Sequence, residues 1–310
     1  MLGSPRRGRG GSDGGTGPLT HGSGRMGSKD PAGISGRISE LKLPASWRKS
    51  MIAGLLSGQR ADGGFGVHPY SKWTGSHWRL VSLIELGVPK TSGAARAAAN
   101  DVLAWIAAPS DRLMIDGRER RHASMEGNAL AVCCRLGMAR DARVRHLVDV
   151  LLRSQWADGG WNCDREPSER RSSFHETLAP IWGLVEYHRA TGDRDSLEAA
   201  QRAVELMLEH RLFRSRKSGK VIDSEWQHIH WPHYWHYDFF HGLRAVGLVG
   251  LLGDPRAEEA RELLRSRRRP DGTWKVSGRK YWSRGKSNIE VVDWRDAHEI
   301  VTAAALVVLQ

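Results

Sequence analysis

The heptapeptide QWADGGW at residues 155–161 follows an apolar helical run, LVDVLL, and stops it at an Asp-Gly turn. The same grammar recurs as QRADGGF at 59–65 after MIAGLL, and as RRPDGTW at 268–274 after ARELL. The three segments start 96 and then 113 residues apart, which leaves room for one degenerate copy in each interval. Those copies are DVLAWIAAPSDR at 101–112 and AVELMLEHRLFR at 203–214. Five units of roughly fifty residues thus fill Leu41–Gln310. A fixed period of this size marks stacked supersecondary units, none of which buries its apolar face alone.

Within each unit the first helix carries charge on one face, as in AEEARELLRSRR, and reads as an outer helix. A loop leads to a second helix that is apolar nearly all round, and hence buried on most faces. These second helices are WRLVSLIEL (78–86), ALAVCCRL (129–136), TLAPIWGLVEY (177–187), GLRAVGLVGLL (242–252) and IVTAAALVVL (300–309). Strand signals are nearly absent. The sequence therefore predicts an all-α fold, a single α/α toroid of about five helical hairpins spanning 37–310. Inner-to-outer connections are short, whereas outer-to-inner ones such as Trp156–Ser172 and Arg211–Tyr237 are long. Long insertions on one rim mark the working face.

Residues 1–36 hold almost no large apolar side chain and read as a disordered Gly/Arg-rich tail; a start at Met26 is the alternative. The chain has 310 residues and a formal net charge of +12, of which the first forty residues supply +3. The rest is spread as arginine, with clusters at Arg118–Arg121 and Arg265–Arg269. The second cluster ends a helix, where cations suit the dipole, and no nucleic-acid module accompanies either, so nucleic acid is set aside as a partner. No apolar run is long enough for a membrane span and no secretory leader opens the chain; peripheral membrane contact stays open. Three cysteines, Cys133, Cys134 and Cys163, make no disulfide framework and point to a reducing cytoplasm. Tryptophan is abundant, with 13 residues against five tyrosines and five phenylalanines.

The pattern Gln-x3-Gly-x-(Trp/Phe), met at Gln59/Gly63/Phe65 and Gln155/Gly159/Trp161, resembles the QW repeat of squalene–hopene and oxidosqualene cyclases, and protein prenyltransferase β-subunits share their toroid. The resemblance covers about residues 41–310 and implies the toroid; in that family the repeat is structural, binding outer helices to one another. Two departures matter. Triterpene cyclases pair two toroids and carry an Asp-x-Asp-Asp acid motif, which this chain lacks. Prenyltransferases hold zinc on an Asp-x-Cys pair with a distant His, whereas here Cys163 stands in Trp161-Asn-Cys-Asp164.

Four inner helices open beside a histidine, at His77, His175, His241 and His298. Ser173 with Glu176, and Asp296 with Glu299, have capping-box spacing, so these acids and hydroxyls also read as plain helix starts. An imidazolium at a helix N-terminus opposes the dipole, so the histidines should be neutral hydrogen-bond partners or ligands. The densest stretch, Trp226–His241, holds five histidines, three tryptophans, two tyrosines, two phenylalanines and Asp238. Three readings stand: an aromatic plug; an acid site; or a metal site, with zinc or magnesium on Cys163, His175 and His236. In the acid reading Asp238 is desolvated by Tyr237, Phe239 and Phe240, and a neutral acid beside π-faces protonates an alkene and shields a cation. In the plain reading Asp238 is the N-cap of the helix beginning near Phe239.

A second acid cluster runs from Glu290 to Asp296, and there Asp293, beside Trp294, is the better catalytic candidate. With Arg79, Arg121, Arg165 and Arg295 near the converging helix N-termini, an anionic group is welcome at the rim, unless those arginines pair with Glu126, Glu166 and Glu299. The expectation is an enzyme, cyclase- or prenyltransferase-like by resemblance, acting on an isoprenoid or other long apolar substrate in a central apolar cavity, with no resident cofactor. Asp238 and Asp293 would act as acids, with His175, His241 and His298 as polar partners. His77, Trp78, Arg79, Trp231, Trp235, Tyr237, Phe239 and Trp294 would line the substrate. The rivals are a carbohydrate-active toroid of lyase type and a non-catalytic lipid-binding or scaffold toroid.

Overall fold

A computed structural model describes residues 45–108, 112–277, 290–294 and 297–310, all within one compact unit. The boundary expected at residue 36, together with Arg295 and Asp296, lies outside the described residues. The chain runs α1 (Ala45–Leu56), α2 (Ser76–Glu85), α3 (Gly93–Ile106), β1 (Met114–Ile115), β2 (Arg118–Glu119), α4 (Ala123–Arg135) and α5 (Ala142–Ser154). It continues through α6 (Phe174–Thr191), α7 (Arg194–Glu209), α8 (Phe239–Leu248), α9 (Glu258–Ser266) and α10 (His298–Leu309). Among the described residues the only strands are β1 and β2, an antiparallel hairpin of two residues each. The fold is all-α.

Two rows of helices alternate along the chain. Successive even-numbered helices pack on one another from α2 to α10, and each also meets at least one odd-numbered helix beside it. Most of the even row is buried nearly all round: every residue of α2 and every residue of α6 from Glu176 to Tyr187 is buried, whereas α10 buries one face. The odd row is amphipathic, as in α9, where Ala260 and Leu264 face in among arginines and glutamates. Side-chain caps start the helices, with Ser92, Asp141, Ser173, Asp193 and Asp238 each accepting an N–H from the first turn. Gly192, with a φ of 80°, ends α6 in the left-handed conformation. The expected helix at 242–252 is displaced, because Asp238 starts α8 earlier and its last turn gives way at Leu248.

The repeated heptapeptides fold alike. Gln59 Nε2 donates to the carbonyls of Gly63 and Ala94, both at 2.9 Å, and Gln155 Nε2 donates to Gly159 at 2.7 Å and Ala199 at 2.8 Å. Each glutamine thus closes its own turn and ties it to the next odd helix, α3 or α7. Gly63 and Gly159 adopt φ of 87° and 99°, and a Cβ there would lie 2.5 Å from a carbonyl of the neighbouring odd helix. Trp161 Nε1 donates to Leu151, and Trp274 Nε1 donates to Leu264, ten residues back in each case. The tightest helix pair is α4 with α6. A Cβ on Gly127 would fall 2.3 Å from the Pro180 nitrogen, and one on Gly183 would fall 2.5 Å from the Gly127 carbonyl. No helix of the described residues is long and apolar enough to cross a membrane.

Candidate functional site

Asp238 is wholly buried at the start of α8. Its Oδ1 accepts from the His241 amide at 2.8 Å, and its Oδ2 accepts from the His230 amide at 2.8 Å and from His230 Nδ1 at 3.0 Å. The helix-cap reading of Asp238 therefore describes its geometry, and the expected access to a cavity is corrected: both oxygens are occupied as acceptors. His230 Nε2 lies 3.1 Å from Glu225 Oε1, so both ring nitrogens face carboxylates. Burial pulls the His230 pKa down, but the Asp238 hydrogen bond and the Asp238 and Glu225 charges outweigh it and leave it raised. His230 is thus buried between two carboxylates that favour its protonated form.

A second chain of contacts continues inward. His241 Nε2 donates to the His230 carbonyl at 2.9 Å, and Nδ1 accepts from Arg244 at 3.1 Å. Arg244 grips Glu85 of α2 with Nη2, at 2.9 and 2.7 Å to the two carboxylate oxygens. Burial, then the His233 and Arg244 charges, hold His241 well below its usual pKa, so it stays neutral. Glu85, Trp182, His233, His241 and Arg244 line a cavity of about 30 Å³, room for a water or two. Leu178, Ala179, Ala245 and Leu248 complete its lining, so buried charge and imidazole share this space with apolar side chains.

The aromatic residues divide. Tyr237 donates its hydroxyl to Leu212 at 2.6 Å and packs edge-on against Phe174 and Trp226, and Phe239 is wholly buried beneath it, so both belong to the core. Trp231 is buried with Arg244 5.5 Å from its ring, and His175 Nδ1 accepts the Tyr237 amide at 2.9 Å. Arg79 is corrected as a substrate contact, since its guanidinium donates to the carbonyls of Thr74, Leu55 and Ser57 and lies on the Phe65 ring. Arg121 pairs with Glu126, the pairing anticipated as the alternative to anion binding. Arg165 and Asp293 are exposed, and His298 is half-buried in the first turn of α10.

A separate aromatic cluster forms from Trp73, Trp78 and Tyr234, with Tyr70 and Trp235 against it. Trp73 stacks on Tyr234 with ring centres 4.2 Å apart, and Trp78 meets both edge-on. His77 lies against Tyr70 and Trp78, neutral because burial lowers its pKa to about 3. Into this cluster reaches a carboxyl that the sequence reading named but did not favour. Glu290 Oε2 accepts from the Tyr234 hydroxyl at 2.7 Å and from Trp294 Nε1 at 3.2 Å. Burial raises its pKa, and these two hydrogen bonds only partly oppose that. Both bonds end on Oε2, so a proton on Oε1 breaks neither. The available signal was Trp294 four residues on from Glu290.

Cys163 does not join His175 and His236. Its Sγ lies 3.3 Å from Glu176 Oε1, and the third neighbour is His122. Glu176 does not complete the expected capping box with Ser173; its Oε2 accepts the Ser124 amide at 2.9 Å and so caps α4 instead.

No protein-family model matches the chain, and no curated protein matches it either. Among solved structures, a protein from Actinoplanes superposes with a TM-score of 0.45 at 18% identity, over 89% of this chain and 87% of that one. The type II terpene cyclase MstE from Scytonema superposes with a TM-score of 0.42 at 17% identity, over 90% of this chain and 85% of that one. A form of that cyclase in complex with geranylgeranyl dihydroxybenzoate gives 0.42 at 18% identity, with the same coverage. Likenesses this distant assign neither a family nor an activity to the chain.

Proposed function

We propose that the chain is a terpene-cyclase-like α/α toroid enzyme that protonates an isoprenoid or similarly long apolar substrate at its aromatic rim, with Glu290 as the acid. The observation behind this reading is the Glu290 carboxyl, half-buried among Tyr234 and Trp294 with a raised pKa. Protonating an alkene requires a neutral acid in apolar surroundings, and the cation formed requires π-faces nearby. In that step the Glu290 proton adds to one alkene carbon, the other becomes the cation, and Glu290 is left as a carboxylate. Loss of a proton from the rearranged cation to water ends the reaction, and Glu290 regains its proton from solvent. Trp235 and Trp294, the partly exposed indoles beside the cluster, would supply the π-faces. Support for a closed ring comes from the continuous packing of the even helices and from the Arg244–Glu85 pair, which ties α8 back to α2.

One observation favours a second reading, a toroid without chemistry. The cavity of about 30 Å³ between the even helices is far below the several hundred Å³ that small-molecule sites occupy. The two separate in one experiment: incubation of the purified chain with squalene and a series of polyprenyl diphosphates, with binding read from tryptophan fluorescence and products from mass spectrometry. The enzymatic reading expects cyclised product from at least one of them. Binding without conversion supports the lipid-binding form of the second reading; neither binding nor conversion ends the isoprenoid assignment.

A further inference from the structure

Three chain segments meet at the N-termini of α4 and α6, and each brings a metal-ligating side chain. His122 precedes α4, Cys163 follows Trp161 by two residues, and Glu176 lies in the first turn of α6. Cys163 Sγ is 3.3 Å from Glu176 Oε1, and His122 Nδ1 is 3.8 Å from the same oxygen. One ligand atom from each of the three lies within 4.8 Å of the others. A tetrahedral ion bound at ordinary zinc distances to sulfur, nitrogen and oxygen sets its donors about 3.3–3.7 Å apart. The three atoms thus form one slightly open face of a zinc tetrahedron.

The surrounding backbone holds that face in place. The Arg121 amide donates to the Asn162 carbonyl at 3.1 Å, which joins the segments bearing His122 and Cys163. Asn162 pins its own loop, donating from Nδ2 to Arg171 at 2.8 Å and accepting the Asp164 amide at 2.8 Å. The Ser173 amide donates to the Trp161 carbonyl at 2.8 Å, setting the start of α6 against the same loop. Glu176 is oriented by the Ser124 amide on Oε2, which leaves Oε1 turned toward Cys163 and His122. An outer contact that fixes a ligating carboxylate is what a metal site needs.

We propose that His122, Cys163 and Glu176 form a zinc site whose fourth position is open to water or an exogenous ligand. A thiolate with an imidazole and a carboxylate selects zinc over magnesium or calcium, which take oxygen donors. Three protein ligands with one open position is the arrangement of reactive rather than purely structural zinc. His122 is 61% exposed and gives the ion its way in. On loading, the Cys163 S–H bond breaks, its proton leaves to solvent, and the sulfur lone pair binds the metal. The thiolate and carboxylate then balance the charge of the ion. The site is independent of the Glu290 chemistry and stands whether or not that chemistry is found.

The test uses the full chain, stripped with a chelator and titrated with cobalt and then zinc. The expected result is one ion per chain, with a near-ultraviolet sulfur-to-cobalt charge-transfer band and the visible bands of tetrahedral cobalt, both erased as zinc displaces it. Cys163→Ser should abolish the charge-transfer band. His122→Ala should weaken zinc binding by at least about 100-fold, the upper end of what losing an outer-shell partner costs. His175→Ala and His236→Ala should leave zinc affinity as in the wild type. A second readout needs no variant: zinc should protect Cys163 from alkylation over the range in which it displaces cobalt, since Cys133 and Cys134 are buried. Absence of the charge-transfer band, unchanged affinity in Cys163→Ser, or alkylation indifferent to zinc overturns the proposal.

Discussion

Glu85 and Arg244 show how much of a site a sequence reveals one residue at a time. Arg244 is a lone charge in GLRAVGLVGLL and Glu85 is one of two, with Arg79, in WRLVSLIEL, and that much is visible in the sequence. Their pairing across 159 residues is not, because only the packing of α2 and α8 brings them together. The pair is almost fully buried, with side chains 8% and 5% exposed, so removing one member strands the other. Arg244→Met alone should destabilise the fold by about 3–5 kcal/mol, whereas the double change with Glu85→Leu should recover most of that loss. Urea denaturation of the three variants checks this, and a double variant as unstable as the single one contradicts it. Asp238 repeats the lesson. Its capping role follows from the Asp-Phe-Phe-His spacing, but its bond to His230 comes from a loop whose path no periodicity describes.

At the scale of elements, the segment from Trp226 to His241 could be read in three ways from its composition, and burial separates them. Trp226, Trp231, Tyr234 and Tyr237 are all buried, so most of the segment is packing material between loop and helices. His230, His233 and His241 are buried with it and His236 is largely enclosed, and this has a pH consequence. Burial lowers His233 to about 3 and His236 to about 2, and it also lowers His175, His241 and His77. In the unfolded chain each titrates near 6.5, so below that pH the unfolded state takes up protons that the folded state refuses. The stability these groups contribute is present above about pH 6.5 and is lost as pH falls toward their folded values, at about 1.4 kcal/mol per pH unit for each histidine. His230 has the opposite sign: its raised pKa stabilises the fold at low pH, and that contribution is lost as pH rises through the folded value. Five groups oppose one, so the denaturant midpoint should fall steeply from pH 6.5 to pH 5. A midpoint flat over that range would show that these imidazoles are solvated.

Across the whole molecule, the repeat was the legible part. The Gln-Asp-Gly-Gly grammar marks the alternation of odd and even helices, because each glutamine and each positive-φ glycine acts within a few residues of its own turn or on the next odd helix. What fills the space between the even helices was not legible. It depends on which side chains meet there, and Arg244, His241 and Trp182 leave little room. The proposed acid was half legible: the stretch from Glu290 to Asp296 stood out, but only the structure shows that Asp293 is exposed and that Glu290 reaches Tyr234 and Trp294. Which carboxyl delivers the proton is therefore the claim on which the functional reading stands. Its most direct test compares product formation from squalene and polyprenyl diphosphates by wild type, Glu290→Gln and Asp238→Asn. The expected result is a loss of at least about 100-fold in Glu290→Gln, with its Tm retained, since an amide cannot donate the proton. Asp238→Asn, which still caps α8, should keep turnover and lose only stability. Full activity in Glu290→Gln, or a loss confined to Asp238→Asn, would contradict the assignment.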